Sequence, residues 1–262
     1  MKALIKLGGA LLDDAAARKR LAAEIADAGS GGHELVVVHG GGKQMTRFLA
    51  GLGIESRFVN GLRVTSPEVL DAVVKVLAGS VNKQLVAELT AAGVRAAGLS
   101  GLDGLIAEAE QIDPELGFVG KPVRANPGLL NLLVERGYLP VVACVAGDRF
   151  GQIFNVNADQ MASACASAIR ADLLLFLTDV DGVRGADGQI CTELTAGQCG
   201  ELIRSGVAFG GMQTKLLAAT QALACGLQAT IIAPGTMPGV IRRTLAGERI
   251  GTRLVRAEAV RG

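Results

Sequence analysis

The sequence predicts an α/β protein, a three-layer αβα sandwich built around a mainly parallel sheet of about eight strands. Three observations predict it: short aliphatic or β-branched runs recur along the chain, segments of helical periodicity lie between them, and glycines gather where the runs end. Strands that alternate with helices need crossover connections, which make the strands parallel and cover both faces of the sheet. Glycine reaches 36 of 262 residues, about twice its ordinary usage of roughly 7%. No collagen-like period absorbs the excess, so these glycines read as places where backbone bends sharply or approaches a ligand.

The runs lie at 3–7, 34–38, 94–99, 139–145, 172–178, 228–232 and 252–255. After the first, Leu21, Glu24, Ile25 and Ala28 mark a helical face; after the second, Met45, Phe48 and Leu49 mark another. Val69, Val73, Val76 and Leu77, and beyond Gly79 also Leu85, Val86 and Leu89, predict a longer one. Ser66-Pro67 and Asn126-Pro127 each set an N-cap before a proline at the first helical position, and Thr195 with Gln198 fits a capping box. Helices are also expected over 161–169 and 216–225. Two segments break the alternation. Residues 105–111 carry a period-two pattern with Glu108 and Glu110 on one side, and 183–192 contain an Ala186-Asp187-Gly188 turn, so both read as local hairpins or edge ribbons. No Pro/Ser-rich linker divides the chain. Two lobes, 1–170 and 171–262, are expected to share one sheet, with the seam near Arg170.

Composition excludes several classes. Lys and Arg number 26 against 25 Asp and Glu, too even a balance for a nucleic-acid polycation or a disordered tail. Aromatics are 3%, with no Trp and one Tyr, which leaves no platform for stacking bases. The aliphatic runs fall far short of the roughly 18 residues that a membrane-spanning helix needs. No basic segment precedes an apolar one at Met1, so a cytoplasmic location is expected. The five cysteines, Cys144, Cys165, Cys191, Cys199 and Cys225, are odd in number and form no Cys-x-x-Cys pair, which favours reduced thiols over disulfides or zinc.

Several strand ends carry residues fit for chemistry. Lys6 is a lone cation in an apolar strand just before Gly8-Gly9, at the carboxyl edge where open α/β sheets bind ligands. A lysine snorkelling to the rim reads equally well there. His39-Gly40-Gly41-Gly42-Lys43 joins a strand to a helix, and its amides can converge on an anion, although the spacing is neither a Walker nor a dinucleotide pattern. In Asn155-Val-Asn157-Ala-Asp159, either Asn157 or Asp159 can cap the next helix; Asn155 is then unexplained, and a carboxylate there can hold nearby ammonium groups. Asp179-Val180-Asp181-Gly182-Val183 suits a ribose and phosphates or an ordinary turn. Lys215, after Gly210-Gly211, is expected in a first helical turn, where it opposes the macrodipole unless an anion is near.

Together these stretches resemble the amino acid kinase family, most closely its branch acting on N-acetyl-L-glutamate. The resemblance runs through Lys6-Leu-Gly-Gly, His39-Gly-Gly-Gly, Asn60-Gly-Leu-Arg63-Val-Thr, Asn82-Lys83, Leu99-Ser-Gly-Leu-Asp103-Gly, Asn155-Val-Asn-Ala-Asp159, Thr178-Asp-Val-Asp-Gly182 and Gly210-Gly-Met-Gln-Thr-Lys215. It implies ATP-dependent phosphorylation of the γ-carboxylate of N-acetyl-L-glutamate in arginine biosynthesis, with Mg²⁺ carried by the nucleotide. By position, Lys6 and Lys215 resemble the lysines that neutralise the moving phosphoryl group, and Asp159 resembles the aspartate that orients them. Gly41 and Gly42 would contact substrate and phosphoryl, Arg63 the α-carboxylate, and Asn155 the acetamido end. Gly8, Gly9, Asp179, Val180, Asp181, Gly182, Val183, Arg184, Val207, Ala208 and Phe209 would form the ATP site. The resemblance further implies that 1–170 binds the acyl amino acid and dimerises while 171–262 binds ATP. Strand one begins within three residues of Met1, so the interlocking N-terminal helix of arginine-inhibited members is not expected, and an arginine-insensitive homodimer is. Gln213-Thr214 and Asp181 depart from the usual aliphatic pair and small residue. The rivals are a kinase of carrier-linked aminoadipate or glutamate and a non-catalytic amino-acid or nucleotide sensor.

Overall fold

A computed structural model describes residues 1–256. The first half of the chain runs β1 Lys2–Leu7, α1 Gly9–Asp13, α2 Ala15–Ser30, β2 Glu34–His39, α3 Gly42–Gly51, the hairpin β3 Phe58–Val59 and β4 Leu62–Arg63, α4 Pro67–Val73, α5 Asn82–Ala91, β5 Ala96–Ser100 and β6 Ala107–Gln111. It continues through β7 Val119–Ala125, α6 Gly128–Glu135, β8 Leu139–Ala143, β9 Val145–Gly147, β10 Ile153–Val156 and α7 Ala158–Ala168. The second half adds β11 Leu173–Thr178, β12 Glu193–Thr195, α8 Ala196–Arg204, α9 Gly210–Ala224, β13 Ala229–Pro234, α10 Val240–Leu245 and β14 Thr252–Val255.

The central sheet has eight strands in the order β12-β14-β13-β11-β1-β2-β8-β5. Its pairs are parallel except β13 with β14. The two innermost strands are apolar because helices cover both faces: Leu4, Ile5, Leu174, Leu175 and Phe176 are fully buried. Ile5 sits between Leu175 and Val37, and Lys6 between Phe176 and Val38. Four of the strands come from each side of Arg170, which takes a left-handed φ of 53° between α7 and β11. The seven expected strands are present. The eighth, β12, was not expected, because three residues with Glu193 exposed carry no periodic signal.

Helices α4 and α5 run on through the π-helical turn Val74–Val81, so the face predicted on either side of Gly79 is one continuous rod. Val69, Val73, Val76, Leu77, Leu85 and Leu89 are buried along it. In α2, Glu24 on the predicted face does a different job. Its carboxylate accepts from the amides of Gly239 (2.8 Å) and Ile241 (3.2 Å) at the start of α10, and from Arg20 at 2.7 Å.

Other expectations need correction. Phe48 is 41% exposed while Met45 and Leu49 are buried, so the face of α3 is narrower than read. The residues 105–111 pair antiparallel with the next strand, as the hairpin reading expected, but do not form an edge ribbon. Strand β6 pairs with β7, and with β9 and β10 they close into a small four-stranded barrel, a non-local closure that short half-polar strands do not announce. The 183–192 turn forms, held by one antiparallel bridge between Arg184 and Ile190. Asn126 accepts from Gly128 N at 3.0 Å, but Pro127 takes the cap position, one residue later than read. Ser66 caps α4 and Thr195 with Gln198 closes the capping box as expected. Helix α7 begins at Ala158 and α9 at Gly210, earlier than read, which moves Lys215 from the first turn into the second.

Candidate active site

Strands β1, β2 and β11 end side by side, so their carboxyl ends bring Gly8-Gly9, Gly40-Gly41-Gly42 and Thr178 to one edge of the sheet. The two glycine segments touch. A Cβ on Gly9 would lie 3.1 Å from the Gly42 amide nitrogen, and one on Gly41 would lie 2.6 Å from Leu77 Cδ2 of the π turn. A side chain at either position would crowd these neighbours, and with glycine in both places bare backbone faces the cavity beside them.

Lys6 leaves β1 into this edge and is only 5% exposed. Asp159 stands in the first turn of α7, where the helix dipole favours a negative charge, and is 4% exposed. Asn157 makes that turn possible by accepting from Asp159 N (2.9 Å) and Gln160 N (3.2 Å), which settles which residue is the cap. Lys6 Nζ lies 2.7 Å from Asp159 Oδ1, and Lys215 Nζ lies 3.4 Å from Oδ2. One carboxylate thus braces two ammonium groups from opposite ends of the sequence. Burial pushes the Asp159 carboxyl up, but the two lysines outweigh it and hold the group below the usual carboxylate range. Burial and the Lys6 charge lower Lys215, opposed by Asp159 and Asp179.

A cavity of about 200 Å³ opens on Lys6, Gly41, Gly42, Arg63, Asn155 and Asp159. It is smaller than the roughly 300–1,000 Å³ of drug-sized sites, which suits a metabolite of amino-acid size. Arg63, at the end of the β3–β4 hairpin, is held by Gly42 O (3.1 Å), Thr46 Oγ1 (2.9 Å) and Ser56 Oγ, with its guanidinium 4.6 Å from the Phe58 ring centroid. Asn155 Nδ2 donates to Thr65 Oγ1 at 3.0 Å. The donors and cations on this wall outnumber its single, already paired carboxylate, so the wall fits an anionic ligand.

Of the residues assigned to a nucleotide, Gly9 lines this cavity, and Gly8, Asp179 to Arg184 and Val207 to Phe209 do not. Asp179, Asp181 and Arg184 are exposed beyond the end of β11, with Val180 42% and Phe209 76% exposed. Two assignments need correction. Val183 is fully buried, its amide donates to Thr252 Oγ1 at 2.8 Å and its carbonyl accepts from Cys191 N at 2.8 Å, while Ala208 is 3% exposed with its amide on Leu202 O. Both support the surface from below. Gly182, at φ 155°, would set a Cβ 2.8 Å from Thr252 Oγ1. Sequence reading missed Thr46, Ser56 and Phe58 around Arg63, because residues 5 to 17 positions apart carry no shared periodic signal.

The chain belongs to the amino acid kinase family, whose model matches residues 1–233. Within that family it is 62% identical over 257 residues to the acetylglutamate kinase of Solibacter usitatus (strain Ellin6076), covering 98% of this chain and all of that one. It is 46% identical to the acetylglutamate kinase of Acidobacterium capsulatum, over 92% and 94% of the two chains. Among solved structures, it is similar to an N-acetylglutamate synthase from Neisseria gonorrhoeae complexed with coenzyme A and N-acetyl-glutamate. That likeness has a TM-score of 0.87 and 25% identity, over 98% of this chain and 60% of that one. The Streptococcus mutans protein smu.665 is similar over 97% and 98% of the chains, with a TM-score of 0.82 and 27% identity.

Proposed function

We propose that this chain transfers the γ-phosphoryl group of ATP to the γ-carboxylate of N-acetyl-L-glutamate, giving N-acetyl-L-glutamyl 5-phosphate, a step of arginine biosynthesis. The observation that carries the reading is the convergence of Lys6 and Lys215 on the two oxygens of Asp159 beside a glycine-walled cavity. The likeness to acetylglutamate kinases across nearly the whole chain supports the substrate.

A carboxylate with a reference pKa near 4.3 is already ionised at neutral pH, so no general base is needed. The barrier is repulsion between two anions, and positioning with fixed positive charge is what lowers it in phosphoryl transfer. A carboxylate oxygen attacks the γ-phosphorus while the bond to the β-phosphate oxygen breaks and ADP leaves. Lys6 and Lys215 offset the charge on the migrating group. The Gly41 and Gly42 amides donate to it, and that of Gly9 serves the remaining phosphates, whereas the Gly8 amide is taken by Leu177 O at 3.0 Å. Arg63, a planar fork already aimed into the cavity, holds the α-carboxylate, and Asn155 the acetamido group. Mg²⁺ carried by the nucleotide would offset part of its phosphate charge; both Asp159 oxygens face ammonium groups and are ill suited to bind it.

The residues 1–170 would hold the acyl amino acid and 171–262 the nucleotide, the latter through Asp179, Val180, Asp181, Gly182, Arg184, Val207 and Phe209. A cytoplasmic homodimer completes the proposal and rests on the family resemblance; sedimentation reads its oligomeric state. No helix among the described residues is long and apolar enough to cross a membrane. Hydroxylamine trapping tests the reaction. With Mg-ATP, N-acetyl-L-glutamate should yield the acyl hydroxamate, while free glutamate should not. Product only from a carrier-linked acid would favour the first rival, and ligand binding without product would favour a sensor.

A further inference from the structure

His39 ends β2 and is fully buried, immediately before the glycine triplet, yet the chemistry above does not use it. Its ring contacts are Nδ1 at 2.9 Å from Gly40 O and Nε2 at 3.0 Å from Asn82 Nδ2. Asn82 is also fully buried and sits 43 positions away. The amide of Asn82 fixes the direction of both bonds. Its nitrogen lies 2.9 Å from Val141 O and 3.3 Å from Leu99 O, and its oxygen receives Lys83 Nζ at 3.1 Å. Carbonyls need a donor and an ammonium needs an acceptor, so the nitrogen of Asn82 faces the strands and the ring. Nε2 must therefore accept, the ring is neutral, and Nδ1 carries the proton that it donates to Gly40 O. Burial supports the neutral form by lowering the His39 pKa to about 4.

The Gly40 carbonyl belongs to the same planar trans peptide as the Gly41 amide, so the two point in opposite directions. A carbonyl pinned toward the histidine turns the Gly41 N–H away from it, on the segment that lines the cavity. We propose that His39 is a positioning residue which, locked in its Nδ1-protonated tautomer by Asn82, aims the Gly41 amide at the migrating phosphoryl group.

The inference rests on the reaction proposed above, and three variants separate the two. The carboxamide nitrogen of His39→Asn can replace Nδ1, that of His39→Gln reaches the Nε2 position instead, and His39→Leu fills the space without a donor. If the amide acts mainly on the transition state, losing its aim lowers kcat and leaves KM nearly unchanged. Expected are kcat within about threefold of the parent for His39→Asn, and losses of tenfold or more for His39→Gln and His39→Leu, given that a lost donor of this kind typically costs about 10²–10³. Thermal unfolding of each variant shows that it is folded. Leucine retaining full kcat, or asparagine falling as far as leucine, overturns the proposal. Should the variants not fold, ¹⁵N spectra of the parent protein at pH 7 decide: a neutral ring protonated on Nδ1 is expected, and one protonated on Nε2 overturns it. Absence of kinase activity in the parent would instead overturn the reaction.

Discussion

Asp159 is the residue on which the site turns, because each of its oxygens faces a different ammonium group. Removing either lysine leaves the other charge in place but halves the compensation. We expect Lys6→Ala and Lys215→Ala each to lower kcat by hundreds of fold, from the roughly 3–4 kcal/mol that a preorganised donor contributes; a loss below tenfold in steady-state rates contradicts their assignment. Asp159→Asn should act through pH. Lys215 is already lowered by burial and by Lys6, and Asp159 opposes that shift. Without the carboxylate Lys215 loses its proton at lower pH, so the alkaline limb of the kcat profile should move toward neutrality. His39 makes a second pH prediction. Its folded pKa of about 4 lies below the ordinary 6.5, so the unfolded chain takes up the proton first and stability falls as pH drops from 6.5 toward 4. The loss is on the order of 3 kcal/mol by linkage, and denaturant titrations of the parent against His39→Asn across that window should show it only in the parent.

At the scale of elements, the backbone is organised by side chains that satisfy helix ends. Glu24 spans two amides at the start of α10 and holds Arg20 alongside, tying α2 to a helix more than two hundred positions later. Glu24→Ala should cost about 1–2 kcal/mol, in line with lost helix caps, or a few degrees in Tm at this size. Steady-state kcat should be unchanged, because the contact is structural; an equal loss of activity would place Glu24 in the site. The legibility of elements followed local chemistry. Lys6 and Asp159 were visible in sequence as polar residues in apolar or small-residue surroundings, and Ser66 and Thr195 as caps. The contact of His39 with Asn82 was not, nor the barrel of β6, β7, β9 and β10, since each depends on pairing between distant segments of modest hydrophobicity. Helix α9 was started too late because its apolar pattern becomes clear only from Leu216, whereas Gly210 and Gly211 already lie inside the helix.

For the molecule as a whole, a mainly parallel sheet of about eight strands was foreseen because its central strands are almost purely aliphatic, while the strand order was not. Their neighbours across the seam were not, since β1 pairs with β11 through a long-range register that local patterning does not encode. That register binds the two halves into one sheet. Residues 1–170 produced alone would expose the edge of β1 that β11 covers, with Leu4, Ile5 and Leu7 left against water. Calorimetry of this fragment should show no cooperative transition, whereas the full chain should; a sharp transition in the fragment would mean that its part of the sheet folds unaided.

The pairing of Leu7 with Leu177 also has a consequence during translation. The partner of β1 emerges from the ribosome about 170 residues later, which at roughly 5–20 residues per second is on the order of ten to thirty seconds. Through that interval the nascent chain offers a sticky, half-completed ribbon to any neighbour on the same messenger, so soluble yield in the cell depends on how quickly that gap is crossed and on chaperones that shield it.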